Sequence, residues 1–199
     1  MEADDQRRAE VIQWRKAERQ RLIAARLALS VEERRHHSAA MARHLTKAVG
    51  DVRGRTVGVY WPFRGEPNLR PWMEQVHASG ALCALPVVVE RHASLVFRTW
   101  WPGATMVSGI WNIPVPADGI DVMPDIVVSP VVGFDPACYR LGYGGGFYDR
   151  TLAAMARQPR VIGVGFTLVA IATIHPLPHD IPMQAIVTER GCSVPCDST

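Results

Sequence analysis

Apolar and charged positions recur with helical spacing over the first fifty residues. Val11, Trp14, Leu22, Ala25 and Leu29 fall close to one or two turns apart with charges between them, which predicts an amphipathic helix. Ser30 opens a second helix. Its hydroxyl can cap the start while Glu33, three residues on, reaches back, and Gly50 marks an end near Val49. From Thr56 the pattern changes to short, continuous apolar runs. TVGVYW, ALCALPVVV, IVVSPVV and VIGVGF predict buried strands, LVFRTW alternates and predicts a more exposed one, and AIVT is expected to be the last. Pro71 and Gly80 bracket a short helix. Another is expected from Phe147 to Ala156, after glycines at 142–146. PGATMVSGIWNIPVPADG is expected to be mostly loop. Buried strands separated by helices predict one α/β domain over residues 1–199. Its central, mostly parallel sheet would be flanked by helices, with the N-terminal helices packed on the sheet.

Composition narrows the classes. With 199 residues, 48% of them hydrophobic and 21% charged, the chain can bury a core without disulfides or a structural metal. No apolar run reaches the roughly 18–20 residues that span a bilayer. MEADDQRRAE carries acids and has no apolar core, so neither a signal peptide nor a membrane partner is expected, and the expected location is cytoplasmic. Cys83 lies in a strand-like run, and Cys138, Cys192 and Cys196 lie in loops or the tail, with no zinc-ligand spacing; this predicts thiols in a reducing compartment. Residues 1–55 carry 13 Lys or Arg against 8 Asp or Glu, and the remainder 9 against 11. A basic front end suits a phosphorylated small ligand or, as a rival reading, nucleic acid.

The stretch FDPACYRLGYGGGFYDR, residues 134–150, is the richest in chemistry. Gly142, Gly144, Gly145 and Gly146 sit between a predicted strand and a predicted helix, where backbone amides and the helix start suit a phosphate. Arg140 can add a forked cationic contact, and Asp149 is a hard oxygen ligand of the kind Mg²⁺ takes beside phosphates. The plainer alternative is a glycine-rich connection with a surface ion pair. The pattern is neither a Walker A loop nor a dinucleotide fingerprint.

RLGYGGGFYDR strongly resembles the signature of the 5-formyltetrahydrofolate cyclo-ligase family. WRKAERQRLIAARLALS, YWPFRGEPNLRPWM, GIWNIPVP and ATIHPLPHDIPMQAIVTERG resemble further family segments in the same order. The resemblance implies ATP- and Mg²⁺-dependent closure of 5-formyltetrahydrofolate to 5,10-methenyltetrahydrofolate, releasing ADP and phosphate. It implies a nucleotide lying along Arg140, Gly142, Tyr143, Gly144, Gly145, Gly146, Phe147, Tyr148 and Asp149. Arg140, Tyr148 and Asp149 would act at the reacting groups. It further implies that Arg15 and Arg19, with Lys16 one place off, reach the phosphates. Glu66 and Trp111 would hold the pterin with Tyr60 and Tyr148 beside them, and Asp180 would join Asp149 near the metal. A monomer acting on free or polyglutamylated substrate is expected.

Alternatives accompany these roles. The face carrying Arg8, Arg15, Arg19 and Arg26 can be a solvated basic face, and Arg8 and Arg26 are assigned to it. The aromatics, Phe63 above all, can be core or surface filling. His175 and His179 are poor metal ligands, because Pro176 and Pro178 exclude the helix such a pair needs. The chain departs from the family pattern at Ala137-Cys138, at Val169 where many members have Gln, and at Gln184 where a second Asp is common. These departures motivate a rival reading, a folate- or nucleotide-binding homologue with little turnover.

Overall fold

The structure, a computed structural model, describes residues 2–195. Helix α1 runs from Glu2 to Ala28 and α2 from Val31 to Val49. The break between them is the capping box expected from sequence. Ser30 Oγ accepts the Glu33 N–H at 3.1 Å, and Glu33 Oε2 accepts the Ser30 N–H at 2.7 Å. Gly50, with φ of 71°, closes α2.

The strands are β1 (Thr56–Gly58), β2 (Leu82–Val87), β3 (Val96–Trp100), β4 (Met106–Ser108), β5 (Pro114–Pro116), β6 (Asp121–Val122), β7 (Ile126–Pro130), β8 (Gly133–Phe134), β9 (Arg140–Leu141), β10 (Arg160–Val164), β11 (Ala185–Thr188) and β12 (Gly191–Ser193). Helix α3 spans Arg70–Ala78 and α4 spans Phe147–Ala154. Eight strands form one sheet in the order β12-β11-β10-β7-β1-β2-β3-β6. The central five are parallel, and antiparallel β12 closes one side while β3 and β6 close the other. Parallel strands with both faces covered must be apolar throughout, and Ile126, Val127 and Val128 of β7 are all fully buried. Alternate residues feed two cores. Val57, Ile126, Val128 and Ile162 pack with Met41 and Leu45 of α2 and Trp72 of α3. Val127, Val161 and Ile186 pack with Leu152 of α4 and Leu22 of α1. The expected α/β architecture is therefore present, with α2 against the sheet at β11 and β12. Helix α1 lies instead along the loops at the carboxyl ends of the strands, against the short helix Thr167–Val169.

Three expectations change. The GIWNIPVP region is a hairpin, β4–β5, rather than loop. A two-stranded ribbon is all edge, so Pro114 and Pro116 can point their missing donors away from the partner. AIVT is followed by β12, which pairs back on β11 although its GCS sequence has no apolar run. LVFRTW is less exposed than its alternation suggests, because Phe97, Thr99 and Trp100 are all buried. Among the described residues, no helix is long and apolar enough to cross a membrane. Cys83 and Cys138 are buried and Cys192 is exposed; Cys196 lies outside the described residues.

The sheet order reverses direction at β1, which sends the chain to β2 on one side and receives β7 on the other. A crevice at the carboxyl ends of β1 and β7 follows from that topology, and α1 closes over it. Leu22 is the apolar anchor of α1, fully buried and pressed on Gly133, where even an added Cβ would meet its Cδ1 at 2.6 Å. Leu22→Ala is expected to lower the unfolding free energy in urea by about 2–5 kcal/mol, the range for a buried leucine truncated to alanine.

Candidate functional site

The crevice holds a cavity of about 450 Å³. Its walls come from α1, from the loop after β1, from the β4–β5 hairpin, from β9 and the glycine loop, from the start of α4, and from residues 179 and 180.

The α1 wall is built from a stripe at spacings of four, three and four: Arg15, Arg19, Leu22 and Arg26. Each arginine is turned inward. Arg15 donates Nε to the Ile174 carbonyl at 3.0 Å and Nη2 to the His175 carbonyl at 2.9 Å. It also forks onto Asp180, through Nη1 to Oδ1 at 3.3 Å and Nη2 to Oδ2 at 2.5 Å. His175 presents its carbonyl from a left-handed backbone, φ 52°, with its ring edge-on to Trp14. Asp180 Oδ2 accepts the Leu177 N–H as well. Burial opposes its ionisation, but the hydrogen bonds from Arg15 and Leu177 and the Arg15 charge win and hold the carboxyl below its usual range.

Arg15 and Asp180, which the resemblance assigns to phosphate and metal, both line the cavity and meet there as an ion pair. They satisfy each other: four of the five guanidinium N–H groups are engaged, and both carboxylate oxygens are occupied. Lys16 is exposed and does not line the cavity, being about 100° round the helix from Arg15. Arg19 differs from both. Its Nε donates to the Gly142 carbonyl at 2.7 Å, while its terminal nitrogens have no protein acceptor among the described residues and stand beside Gly144. Burial and the neighbouring Arg15 lower its pKa, opposed by Asp180. An anion here would find a fixed, partly desolvated guanidinium.

Arg26 is not on a solvated face. It is 1% exposed and donates to the carbonyls of Arg64 and Val131 and to the Tyr143 hydroxyl. Sequence reading missed it. The available signal was Leu22: an apolar residue in the middle of an arginine stripe marks that stripe as packed.

The glycine loop explains its composition at two positions. Gly144 has φ of 95° and Gly146, the N-cap of α4, has φ of 63°, conformations that side chains rarely adopt. No side chain caps α4, so its first N–H groups are left for an anion. Arg140 is buried behind the loop. It donates to Asp149 Oδ1 at 2.6 Å and to the Ile181 carbonyl at 3.3 Å, and lies over the Tyr148 ring at 5.6 Å. Asp149 Oδ1 also accepts the Ile181 N–H, while Oδ2 has no protein partner among the described residues. The Tyr148 hydroxyl is buried in the cavity wall with no hydrogen-bond partner among the described residues. Burial, then the Glu66 charge, push its pKa up against Arg140, so it remains a donor.

Across the cavity, Glu66 is 6% exposed. Oε2 accepts the Phe63 N–H at 2.9 Å and Oε1 accepts the Tyr143 hydroxyl at 3.0 Å. Burial pushes its carboxyl up to about 7, with Arg26, the Phe63 N–H and the Tyr143 hydroxyl pulling the other way. Tyr60 is buried beneath it and donates to the Pro67 carbonyl. Trp111 stands at the tip of the β4–β5 hairpin, 54% exposed, edge-on to Phe147 at 5.8 Å. It and Asn112 are both left-handed, φ 57° and 58°, a strain of about 1–3 kcal/mol per residue that concentrates at ligand clamps.

Two departures from the family pattern lie elsewhere. Gln184 Oε1 accepts the Val161 N–H at the amino end of β10, and Val169 is fully buried against Gly165. Neither lines the cavity.

A braced glycine loop opening on an aromatic, carboxylate-bearing pocket suits an α/β enzyme that brings an anionic and a flat ring ligand together. Residues 11–189 match the model of the 5-formyltetrahydrofolate cyclo-ligase family, and the chain belongs to that family. It is 32% identical over 170 residues to the 5-formyltetrahydrofolate cyclo-ligase of Escherichia coli, covering 82% of this chain and 93% of the relative. The corresponding protein of Mycolicibacterium smegmatis is 31% identical over 148 residues, covering 70% and 76%. The fold superimposes on that of Aquifex aeolicus 5,10-methenyltetrahydrofolate synthetase with a TM-score of 0.80 at 27% identity, over 93% of this chain and 94% of that one. The Mycoplasma pneumoniae 5,10-methenyltetrahydrofolate synthetase shares the fold at a TM-score of 0.71 and 22% identity, over 88% and 98%.

Because Asp180 and Arg15 satisfy each other, removing one strands the other. Asp180→Ala is expected to destabilise the protein by about 3–5 kcal/mol. The parent's share from this pair is present above the ordinary aspartate pKa and is lost as pH falls through the lowered folded value. Urea unfolding at pH 7 and at pH 3 checks both: the gap between parent and variant should narrow in acid.

Proposed function

We propose that the protein closes 5-formyltetrahydrofolate to 5,10-methenyltetrahydrofolate at the expense of ATP, releasing ADP and phosphate. The observation that carries this reading is the facing pair of half-sites in one cavity. One is a glycine cradle with Arg19 and the uncapped start of α4; the other is a buried carboxylate among aromatic rings. A formamide oxygen is a poor leaving group. Its attack on the γ-phosphorus forms a P–O bond and releases ADP. The folate N10 then attacks the formyl carbon, the C–O bond breaks, phosphate leaves, and N10 gives up its proton. The work left to the protein is positioning and charge stabilisation.

In this reading Arg19, the loop amides and the α4 start hold the phosphates. Arg140 keeps Asp149 and Tyr148 in place, and the Tyr148 hydroxyl, without a partner among the described residues, donates to the transferring group. Glu66 accepts from the pterin's ring N–H and amino groups, and Trp111 covers the ring. Asp149 would hold Mg²⁺ through Oδ2; among the described residues no cluster of three acidic, His or Cys ligands exists, which fits a cation carried largely by nucleotide phosphates. Bound there, Mg²⁺ would neutralise charge on the transferring phosphoryl. The inner arginine stripe is turned into the protein, which supports the small-ligand reading over the nucleic-acid one. The proposal includes a cytoplasmic monomer that accepts free or polyglutamylated folate.

The direct test is the methenyl absorption band, expected with 5-formyltetrahydrofolate, ATP and Mg²⁺ together and absent when ATP is omitted or EDTA is added. A band that forms equally well without nucleotide would sink the reading. Asp149→Ala should lower kcat by about 10²–10³, the usual loss for a transition-state electrostatic contact.

Glu66 adds a pH signature. Its ionised form is the better acceptor and predominates above about 7. The raised carboxyl favours the fold when neutral, and that contribution is lost as pH rises through the same value. Folate KM is therefore expected to fall between pH 6 and 8. In Glu66→Gln it should be higher, flat over that range, and raised more than the KM for ATP.

A further inference from the structure

Residues 142–146 contain one side chain beyond glycine, that of Tyr143. Whatever conformation the glycine loop takes on binding, Tyr143 is the side chain that can report it elsewhere. Its hydroxyl lies between two buried groups on other segments. Arg26 Nη2 donates to it at 2.6 Å, so its own proton goes to Glu66 Oε1, 3.0 Å away. With Glu66 ionised the order is fixed by chemistry, since a guanidinium cannot accept and a carboxylate cannot donate. The Tyr143 ring is 5.9 Å from that of Phe63, whose N–H holds the other Glu66 oxygen. Arg26 fixes the relay from α1 through the Arg64 and Val131 carbonyls. Arg19 pins the adjacent Gly142 carbonyl from the same helix.

Resting on the function proposed above, we infer that Tyr143 is a positioning residue that couples the two subsites. The glycine loop, settled on nucleotide phosphates, sets the Glu66 carboxylate for the folate ring through the Tyr143 hydroxyl. Coupling of this kind is reciprocal, so folate tightens nucleotide by the same factor. The contact has a measurable mark of its own. The groups facing Glu66 are Arg26 from α1, Tyr60 after β1, the Phe63 N–H from its own loop, Tyr143 from the glycine loop and Tyr148 from α4. Tyr143→Phe changes one of them and keeps the ring against Phe63. With a donor lost, the Glu66 carboxyl should titrate higher than in the parent.

Two measurements test the inference. Calorimetric titration with 5-formyltetrahydrofolate, with and without a non-hydrolysable ATP analogue and Mg²⁺, should show the analogue tightening folate about fivefold or more in the parent. In Tyr143→Phe the factor should fall close to one. No coupling in the parent, or undiminished coupling in the variant, overturns the inference. Separately, ¹³C NMR of the glutamate carboxyls in ligand-free protein should show Glu66 shifted upward in Tyr143→Phe; an unchanged titration overturns it with no substrate involved. A parent that shows the Glu66 shift but binds no folate removes the proposed function and the coupling together, and identifies the function as the failed step.

Discussion

Burying guanidinium groups constrains this structure more than any other interaction. Helix α1 offers the interior three arginines and one leucine where a helix would ordinarily offer a stripe of apolar side chains. An unpaired buried charge is prohibitive, so each arginine dictates the course of the chain it meets. Arg15 requires the 174–180 segment to turn two carbonyls and a carboxylate inward, and His175 adopts a left-handed conformation there. Arg19 holds the start of the glycine loop, and Arg26 draws the loop after β1 and the end of β7 together. Arginine suits this task because its planar fork can serve several carbonyls at once and remains charged; lysine would leave most of these acceptors unmet.

The consequence is a rigid site made of segments that would otherwise be mobile. Loops at the carboxyl ends of parallel strands have no sheet partners of their own, and glycine makes one of them intrinsically loose. Stitching them to a single long helix substitutes one rigid element for many weak contacts. It also arranges charge ahead of any ligand. Asp180 and Asp149 are each neutralised by an arginine, while Arg19 keeps its terminal nitrogens open.

The fold was legible because parallel strands buried on both faces read as unbroken apolar runs, as IVVSPVV and VIGVGF do, and because the Ser30–Glu33 box is a local signal read without tertiary context. The β4–β5 ribbon and β12 were not legible. Their pairing depends on a neighbour strand rather than on their own composition. The glycine loop was legible from residue type alone, and Glu66 was singled out only by the family resemblance. The site was illegible where role depends on rotation about a helix axis. Arg15, Lys16, Arg19 and Arg26 are alike in sequence, yet Lys16 faces solvent while the three arginines brace loops, Arg19 with donors to spare. Gln184 and Val169 show the converse: both looked like gaps in a ligand set, and both belong to the sheet and its core.

The pairing of the two aspartates bears on what the site asks of its substrates. With both Asp180 oxygens held by Arg15 and Leu177, the acidic pair that the resemblance suggested near a metal has, among the described residues, its open oxygen on Asp149. On the proposed reaction, the triphosphate must then bring most of the cation's ligands itself. The protein's part is a single carboxylate held in register by Arg140, which also backs the Tyr148 ring. That division favours a metal entering and leaving with nucleotide over one resident between turnovers. It also accounts for the neutral residue at 184 without invoking weak catalysis: with Gln184 engaged by the Val161 N–H, no second acid is missing from the place where the nucleotide would bind.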